Sequence, residues 1–342
     1  MLKAQIEYGA IHTKILGMYG KMLKEEDWRR LCELKSVAEV CAFLRNHRGW
    51  STTMAELPPA PTTKILKTAV SRRVYEDYEK LYKYLLSEDK KLLRFIVYRA
   101  EYDFIIDALR ENRAFAPLPK SLELTDFVRH NSKVDIAGLE HSTSYSAVLA
   151  AIRGSIFERP LAELKVNPET GRPDYLDTCI VLENAYFKSI FTYISKKYKG
   201  LGKKKLEETI GLEADLLNIV SEIRLHRSFH DSLEKVDALL IPVLYHIKPE
   251  FLHALSEARD EAELLDLLRK SSFGKFMAGA EPANIEDFYY KSLDKFCRKI
   301  IKAAEPDVSA ALAYMILKDL ESKKLNRVIE AIGSGYDPKS VI

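Results

Sequence analysis

The sequence predicts an all-α fold built of three related helical lobes in a pseudo-threefold arrangement. Three observations carry that expectation. Apolar residues recur every three or four positions along most of the 342 residues, and strand-like alternation is scarce. Gly and Pro are sparse and fall mostly at the ends of periodic segments, where they punctuate helices. One short helix signal is written three times, at 36–45, 144–153 and 260–269. Each copy opens on an N-cap residue type, Ser36, Ser144 or Asp260. Aliphatic residues follow four and eight positions later: Val40 and Leu44, Val148 and Ile152, Leu264 and Leu268. Each copy closes on arginine, at Arg45, Arg153 and Arg269. The copies lie roughly 110 residues apart, far beyond the 20–50 of a solenoid unit, so the repeating object is a lobe.

A helix over 4–23 opens the chain. Each lobe then follows one plan: short helices, the N-capped helix, a Pro-containing turn and two long helices. The turns are Leu57-Pro58-Pro59-Ala60-Pro61, Asn167-Pro168-Glu169-Thr170-Gly171-Arg172-Pro173 and Glu281-Pro282-Ala283-Asn284, with a further break at Ala116-Pro117-Leu118-Pro119. The long pairs are expected at 63–86 and 89–113, at 174–199 and 203–228, and at 284–304 and 306–332. Connections of a few residues make the members of each pair antiparallel neighbours. The lobes therefore span 1–118, 119–228 and 229–342.

Two more markers keep step with the first. Glu101-Tyr102-Asp103-Phe104-Ile105-Ile106 corresponds to Glu213-Ala214-Asp215-Leu216-Leu217-Asn218 and to Glu321-Ser322-Lys323-Lys324-Leu325-Asn326. Ahead of them, Glu183-Asn184-Ala185-Tyr186-Phe187-Lys188-Ser189-Ile190 corresponds to Glu286-Asp287-Phe288-Tyr289-Tyr290-Lys291-Ser292-Leu293, and more loosely to Tyr78-Glu79-Lys80-Leu81. Glu101 shares a helical face with Val97, Tyr98, Phe104 and Ile105, and Glu213 with Thr209, Ile210, Leu216 and Leu217. Both carboxylates are thus expected inside, where each needs hydrogen bonds or a cation. One reading makes them packing acids, bonded to an Arg or Tyr of the hairpin partner. The other makes them a catalytic or proton-relay pair. Glu321 stands between Lys318 and Lys324 and is expected to be more exposed.

Lys196, Lys197, Lys199, Lys203, Lys204 and Lys205 crowd the turn of the second long pair. Such a tip is either simply solvated or suited to lipid headgroups or an acidic partner surface. Other chemistry finds little support. His226 and His230 have the spacing of two metal ligands on a helix, but no third ligand is evident. The tail Gly333-Ser334-Gly335-Tyr336-Asp337-Pro338-Lys339-Ser340 imitates a phosphate loop yet has Pro338 in place of the required glycine, and reads as a helix C-cap. Gly200-Leu201-Gly202 reads as a turn. No nucleophile triad, paired-carboxylate site, metal site or cofactor is expected.

A net charge of only +3 speaks against a dedicated nucleic-acid binder. Cysteines 32, 41, 179 and 297 form no C-x-x-C pair, so a reducing cytoplasm is the expected setting. The first residues carry no signal-peptide core. The longest apolar stretch, about 236–247, falls short of the roughly 20 residues a bilayer span requires.

Together these markers resemble the C-type stalk component of bacterial and archaeal V/A-type ATPases, a family whose eukaryotic V-ATPase counterpart is the d-type component. Tyr8-Gly9-Ala10 leading into the first helix, the thrice-repeated block, and the ending Leu320-Glu321-Ser322-Lys323-Lys324-Leu325-Asn326-Arg327-Val328-Ile329 before a glycine carry the likeness, which covers the whole chain. The resemblance implies a helical funnel of three lobes with no active site. It implies a central-stalk part that joins the axle subunits (D and F type) of the ATP-hydrolysing head to the membrane proteolipid ring, for H+ or Na+ transport. Such a protein is cytoplasmic and peripheral to the membrane through its complex. The alternative is a helical scaffold or adaptor with unrelated partners. A third class is a helical enzyme that uses Glu101 or Glu213.

Overall fold

The computed structural model describes residues 2–110, 123–228, 241, 243–274, 285–303 and 307–341. The fold is all-α, with one small two-stranded ladder among the described residues. In chain order the helices are α1 (Leu2–Tyr19), α2 (Glu25–Leu31), α3 (Val37–Asn46), α4 (Ser51–Ala55), α5 (Thr63–Tyr82), α6 (Ser87–Leu92) and α7 (Phe95–Leu109). Then come α8 (Asp126–Asn131), α9 (Ile136–His141), α10 (Tyr145–Ala151) and α11 (Glu158–Ala162). Strands β1 (Val166–Asn167) and β2 (Arg172–Pro173) pair antiparallel. They are followed by α12 (Tyr175–Lys197), α13 (Gly200–Ser228), α14 (Pro249–Ser256), α15 (Glu261–Lys270), α16 (Ile285–Ile301) and α17 (Val308–Gly333). No described helix is long and apolar enough to cross a membrane.

The thrice-written signal folds as expected. The Ser36 side chain accepts the Glu39 N–H at the start of α3, Ser144 accepts that of Ala147 at α10, and Asp260 accepts that of Glu263 at α15. Each bond satisfies a donor that the first helical turn leaves open. The six aliphatic residues of the pattern are all buried. Two features differ from the expected plan. The second long helix of the first pair is broken at Leu93–Arg94 into α6 and α7, and the Arg94 guanidinium there donates to the Asn131 carbonyl at 3.1 Å. The turn at 167–173 is a tight hairpin, in which the Asn167 side chain accepts the Glu169 N–H and Gly171 takes φ +66°. The turns at 116–119 and 281–284 lie outside the described residues.

The chain separates into two compact units. Unit one comprises Met1–Ile96, Pro117–Asn131 and Cys297–Ile342, and unit two comprises Val97–Ala116 and Ser132–Phe296. In unit one α17 lies along α5, with α1 and α3 against it. Every residue of α17 from Val308 to Lys318 is buried, as befits a helix enclosed on all sides. Alanines at 310, 311 and 313 leave room for close neighbours. The helix ends on a left-handed Gly335, with the Tyr336 N–H returning to the Ala331 carbonyl, so the tail that imitates a phosphate loop is a helix cap. In unit two α12 packs on α13, and α13 also meets α14 and α15. Gly211 lets the chain at Tyr245 approach: a Cβ there would lie 2.5 Å from the tyrosine Cβ.

A buried ionic group joins α5 to α17. Asp77, 1% exposed, takes the Tyr314 hydroxyl at 2.7 Å, Arg73 at 3.0 Å and Lys80 at 3.2 Å. Burial works against the Asp77 carboxylate, but Lys318, Arg73, Lys80 and the Tyr314 hydrogen bond outweigh it and hold the group below its usual range. Its folded pKa is therefore lower than its unfolded one, near 3.9, and the unfolded chain takes up the proton first as the pH falls. The stabilisation is complete above about pH 5 and is lost as acidity passes through about pH 4 and below. We expect Asp77→Asn to lower unfolding free energy by about 3–5 kcal/mol at neutral pH and to flatten the acid limb, as read by urea denaturation at stepped pH. Replacing Ser36, Ser144 or Asp260 by Ala should cost about 1 kcal/mol each in the same assay.

Candidate functional site

The three repeated acids are all buried. Glu101 on α7 is 1% exposed, Glu213 on α13 is 7% and Glu321 on α17 is 5%. The expectation that Glu321 is the exposed one is overturned. Its neighbour Lys318 is buried as well, with its ammonium 2.5 Å from the Glu321 carboxylate and 4.0 Å from the centre of the Trp50 ring. Sequence proximity to lysine suggested water, but an ion partner and an aromatic face serve the ammonium without it.

What Glu101 and Glu321 hold is backbone. Glu101 accepts the Lys133 N–H and the Ser132 hydroxyl, both at 2.9 Å, just ahead of Asp135, the N-cap of α9. Glu321 accepts the Leu23 N–H at 2.6 Å, just ahead of α2. The middle marker does the same job one step along. Asp215, wholly buried, accepts the Tyr245 N–H at 3.0 Å and the His246 N–H at 2.7 Å, ahead of α14. Asn218 adds a two-way bond to Ile241, donating to its carbonyl and accepting its N–H. Burial pushes the Asp215 carboxyl up despite the two N–H donors that favour its charge. Glu213 itself pairs with Arg99 at 3.2 Å, and that guanidinium sits 4.4 Å from the centre of the Tyr186 ring.

For Glu213 the expected Arg or Tyr of the hairpin mate is an arginine from another helix, Arg99. Glu101 and Glu321 clasp the chain that enters a set of short helices, and Arg99 comes from α7 rather than from α12. Asp77, Asp215 and Asn218 were not singled out from the sequence. Asp215 and Asn218 lie inside a repeated marker, which was the available signal. Asp77 had none.

The six lysines lie together at the α12–α13 turn. Lys196, Lys197, Lys199 and Lys204 are exposed, and Lys203 and Lys205 are half-buried. Lys203 reaches Glu207 at 3.5 Å. His230 and the side chain of His226 lie outside the described residues. Among the described residues no three of His, Cys, Asp or Glu gather closely enough to hold a metal ion. Among the described residues, open clefts lie beside the C-terminal turn at Cys32 and Tyr336 and at Arg110, Arg172 and Tyr175. In the second, Arg172 is engaged with the Leu109 and Arg110 carbonyls that end α7.

These features define an all-α protein with a sequence repeat, whose buried charged groups bind its own backbone and one another. The chain belongs to the ATP synthase (C/AC39) subunit family, whose profile matches residues 11–341. It is similar to the C-type component of the A-type ATP synthase of Thermococcus kodakarensis, at 21% identity over 98% of this chain and 89% of that protein. It is also similar to the same component from Methanosphaera stadtmanae, at 21% over 97% and 85%. A third relative is that of Pyrococcus abyssi, at 20% over 98% and 89%. The family makes the chain a subunit of a rotary ATPase complex.

Removing Glu321 alone strands the Lys318 ammonium. Glu321→Ala should lower stability by about 3–5 kcal/mol, while Glu321→Leu combined with Lys318→Met should recover most of the loss in a denaturant titration. A double variant no more stable than the single one would show that the pair does not act as a unit.

Proposed function

We propose that the chain is a non-catalytic central-stalk subunit of a rotary V/A-type ATPase. It couples the axle of the ATP-hydrolysing head, formed by subunits of the D and F type, to the membrane proteolipid ring that moves H+ or Na+. It is cytoplasmic and peripheral, held at the membrane through its complex. Its three lobes, 1–118, 119–228 and 229–342, form a pseudo-threefold funnel.

The observation that carries this reading is the family match along nearly the whole chain. The clasps support it physically. A part that passes torque must resist internal sliding, and close-packed interiors deform little. Here an acid on a long helix grips the backbone that enters short helices at three places, through Glu101, Asp215 and Glu321. Those bonds have direction, so they oppose slippage that apolar contact alone would permit. The buried carboxylates are engaged by backbone, hydroxyl or cationic groups, which supports a mechanical rather than a chemical duty for them.

The test is reconstitution. Immobilised, purified chain should capture the axle subunits and, separately, the detergent-solubilised proteolipid ring. Capture of neither, with the chain folded by circular dichroism, would sink the proposal. Glu101→Gln should lower stability by about 1–3 kcal/mol and leave turnover of a fully assembled complex unchanged; lost turnover at full assembly would point to a chemical role instead.

A further inference from the structure

The turn between α12 and α13 has a composition that the fold itself does not call for. Six of the ten residues from 196 to 205 are lysine, and none is acidic or arginine. Lys196 and Lys197 in the last turn of α12 suit the negative end of that helix. Lys203, Lys204 and Lys205 stand in the opening turns of α13, toward its positive end, and Lys203 pairs with Glu207 one turn on. At the apex stands Leu201, 61% exposed, between Gly200 and Gly202. Gly200 takes φ +59°, a left-handed turn that glycine makes at no steric cost. Below the tip Ile194 and Leu206 are wholly buried and anchor both helices, and Tyr198 lies half-buried with its ring edge-on to Tyr193 at 6.4 Å. The hairpin thus presents, in sequence from its root, a dry anchor, an aromatic pair, a collar of ammonium groups and a single protruding apolar side chain.

We propose that this tip docks on the anionic phospholipid surface of the membrane, with Leu201 entering the headgroup–acyl boundary and the lysines meeting lipid phosphates. Three features favour lipid over an acidic protein. The charges are all lysine, compact and flexible point charges that need no fixed partner geometry. Protein interfaces enrich arginine and deplete lysine, the reverse of this patch. An isolated exposed leucine inside a cationic collar suits a fluid apolar layer, whereas a protein would have to offer a matching pocket. The inference deepens the central-stalk reading and rests on it for the nearness of a membrane. In that setting the tip would steady the protein against tilting over the bilayer.

The experiment is co-sedimentation of the full-length chain with vesicles of phosphatidylcholine alone or mixed with phosphatidylglycerol. Binding to the mixed vesicles only, weakening as salt rises from about 0.1 to about 0.5 M, is the expected result. Lys196→Glu, Lys199→Glu and Lys204→Glu together should cut that binding by more than about tenfold, and Leu201→Asp by several-fold. A matched reversal of the exposed Lys165, Lys188 and Lys248 should leave most of it. No preference for anionic vesicles, or equal losses from the tip and the matched variants, would overturn the inference. So would loss of ring capture by the tip variant when the unaltered chain binds no vesicles, which would make the tip a protein contact. The vesicle assay needs neither ring nor axle, so this inference and the central-stalk reading fail separately.

Discussion

An ammonium and a carboxylate meet at 2.5 Å inside unit one, where Lys318 and Glu321 are both almost wholly removed from water. Desolvating two such ions costs several kcal/mol each, which their contact offsets only when other bonds complete it. Those other bonds organise the unit. The carboxylate also takes the Leu23 N–H, the ammonium lies over Trp50, and its charge helps hold Asp77 ionised among Arg73, Lys80 and Tyr314. One point on α17 thereby touches the entry to α2, the start of α4 and the middle of α5. An apolar seam between α17 and α5 would tolerate sliding by a turn. Charged groups that keep particular partners, Asp77 with Arg73 and Lys80 and Glu321 with Lys318, do not.

The local code was the easiest part to read. An N-cap bond joins a side chain to an N–H three residues on, so Ser36, Ser144 and Asp260 declare their helices without any tertiary information. The long pairs were legible for a similar reason: the α12–α13 and α16–α17 bounds fall within a few residues of those the apolar period implies. The break at Leu93–Arg94 was not, because the apolar period runs on through it; the Arg94 guanidinium there reaches the Asn131 carbonyl, 37 residues away. Glu321 shows the limit most clearly. Whether a Lys–Glu neighbourhood faces water depends on Trp50 and Leu23, which are distant in the chain, and no local pattern names them.

The repeat also shows how equivalent positions drift. Glu101 and Glu321 grip backbone directly, whereas in the middle copy Asp215 does so and Glu213 is released to bind Arg99. Two residues along a helix turn the side chain by more than half a circle, so the two acids act on different neighbours. The duty is retained while its bearer moves. Asparagine stands five residues after the glutamate in both later copies, yet Asn218 closes on the Ile241 backbone and Asn326 on the Ser71 hydroxyl. Such divergence is what three copies at different places in one molecule should accumulate, because each faces different surroundings.

Unit one draws on residues 1–96 and 297–342 and on the internal stretch 117–131. Asp77 waits for Tyr314, and Leu23 for Glu321, across most of the polypeptide. Unit two is drawn from the interval between, and its clasps, Glu101 to Lys133 and Asp215 to His246, close over about 30 residues. On a ribosome that adds roughly 5–20 residues per second, α5 emerges some 10–50 seconds before α17 can reach it. During that interval α5 has only nearer helices for cover: Leu66 and Val70 cluster with Leu31, Val40 and Trp50 and, once α17 is made, with Leu325 and Val328. The seam between α5 and α17 therefore closes only after the residues of unit two have been made.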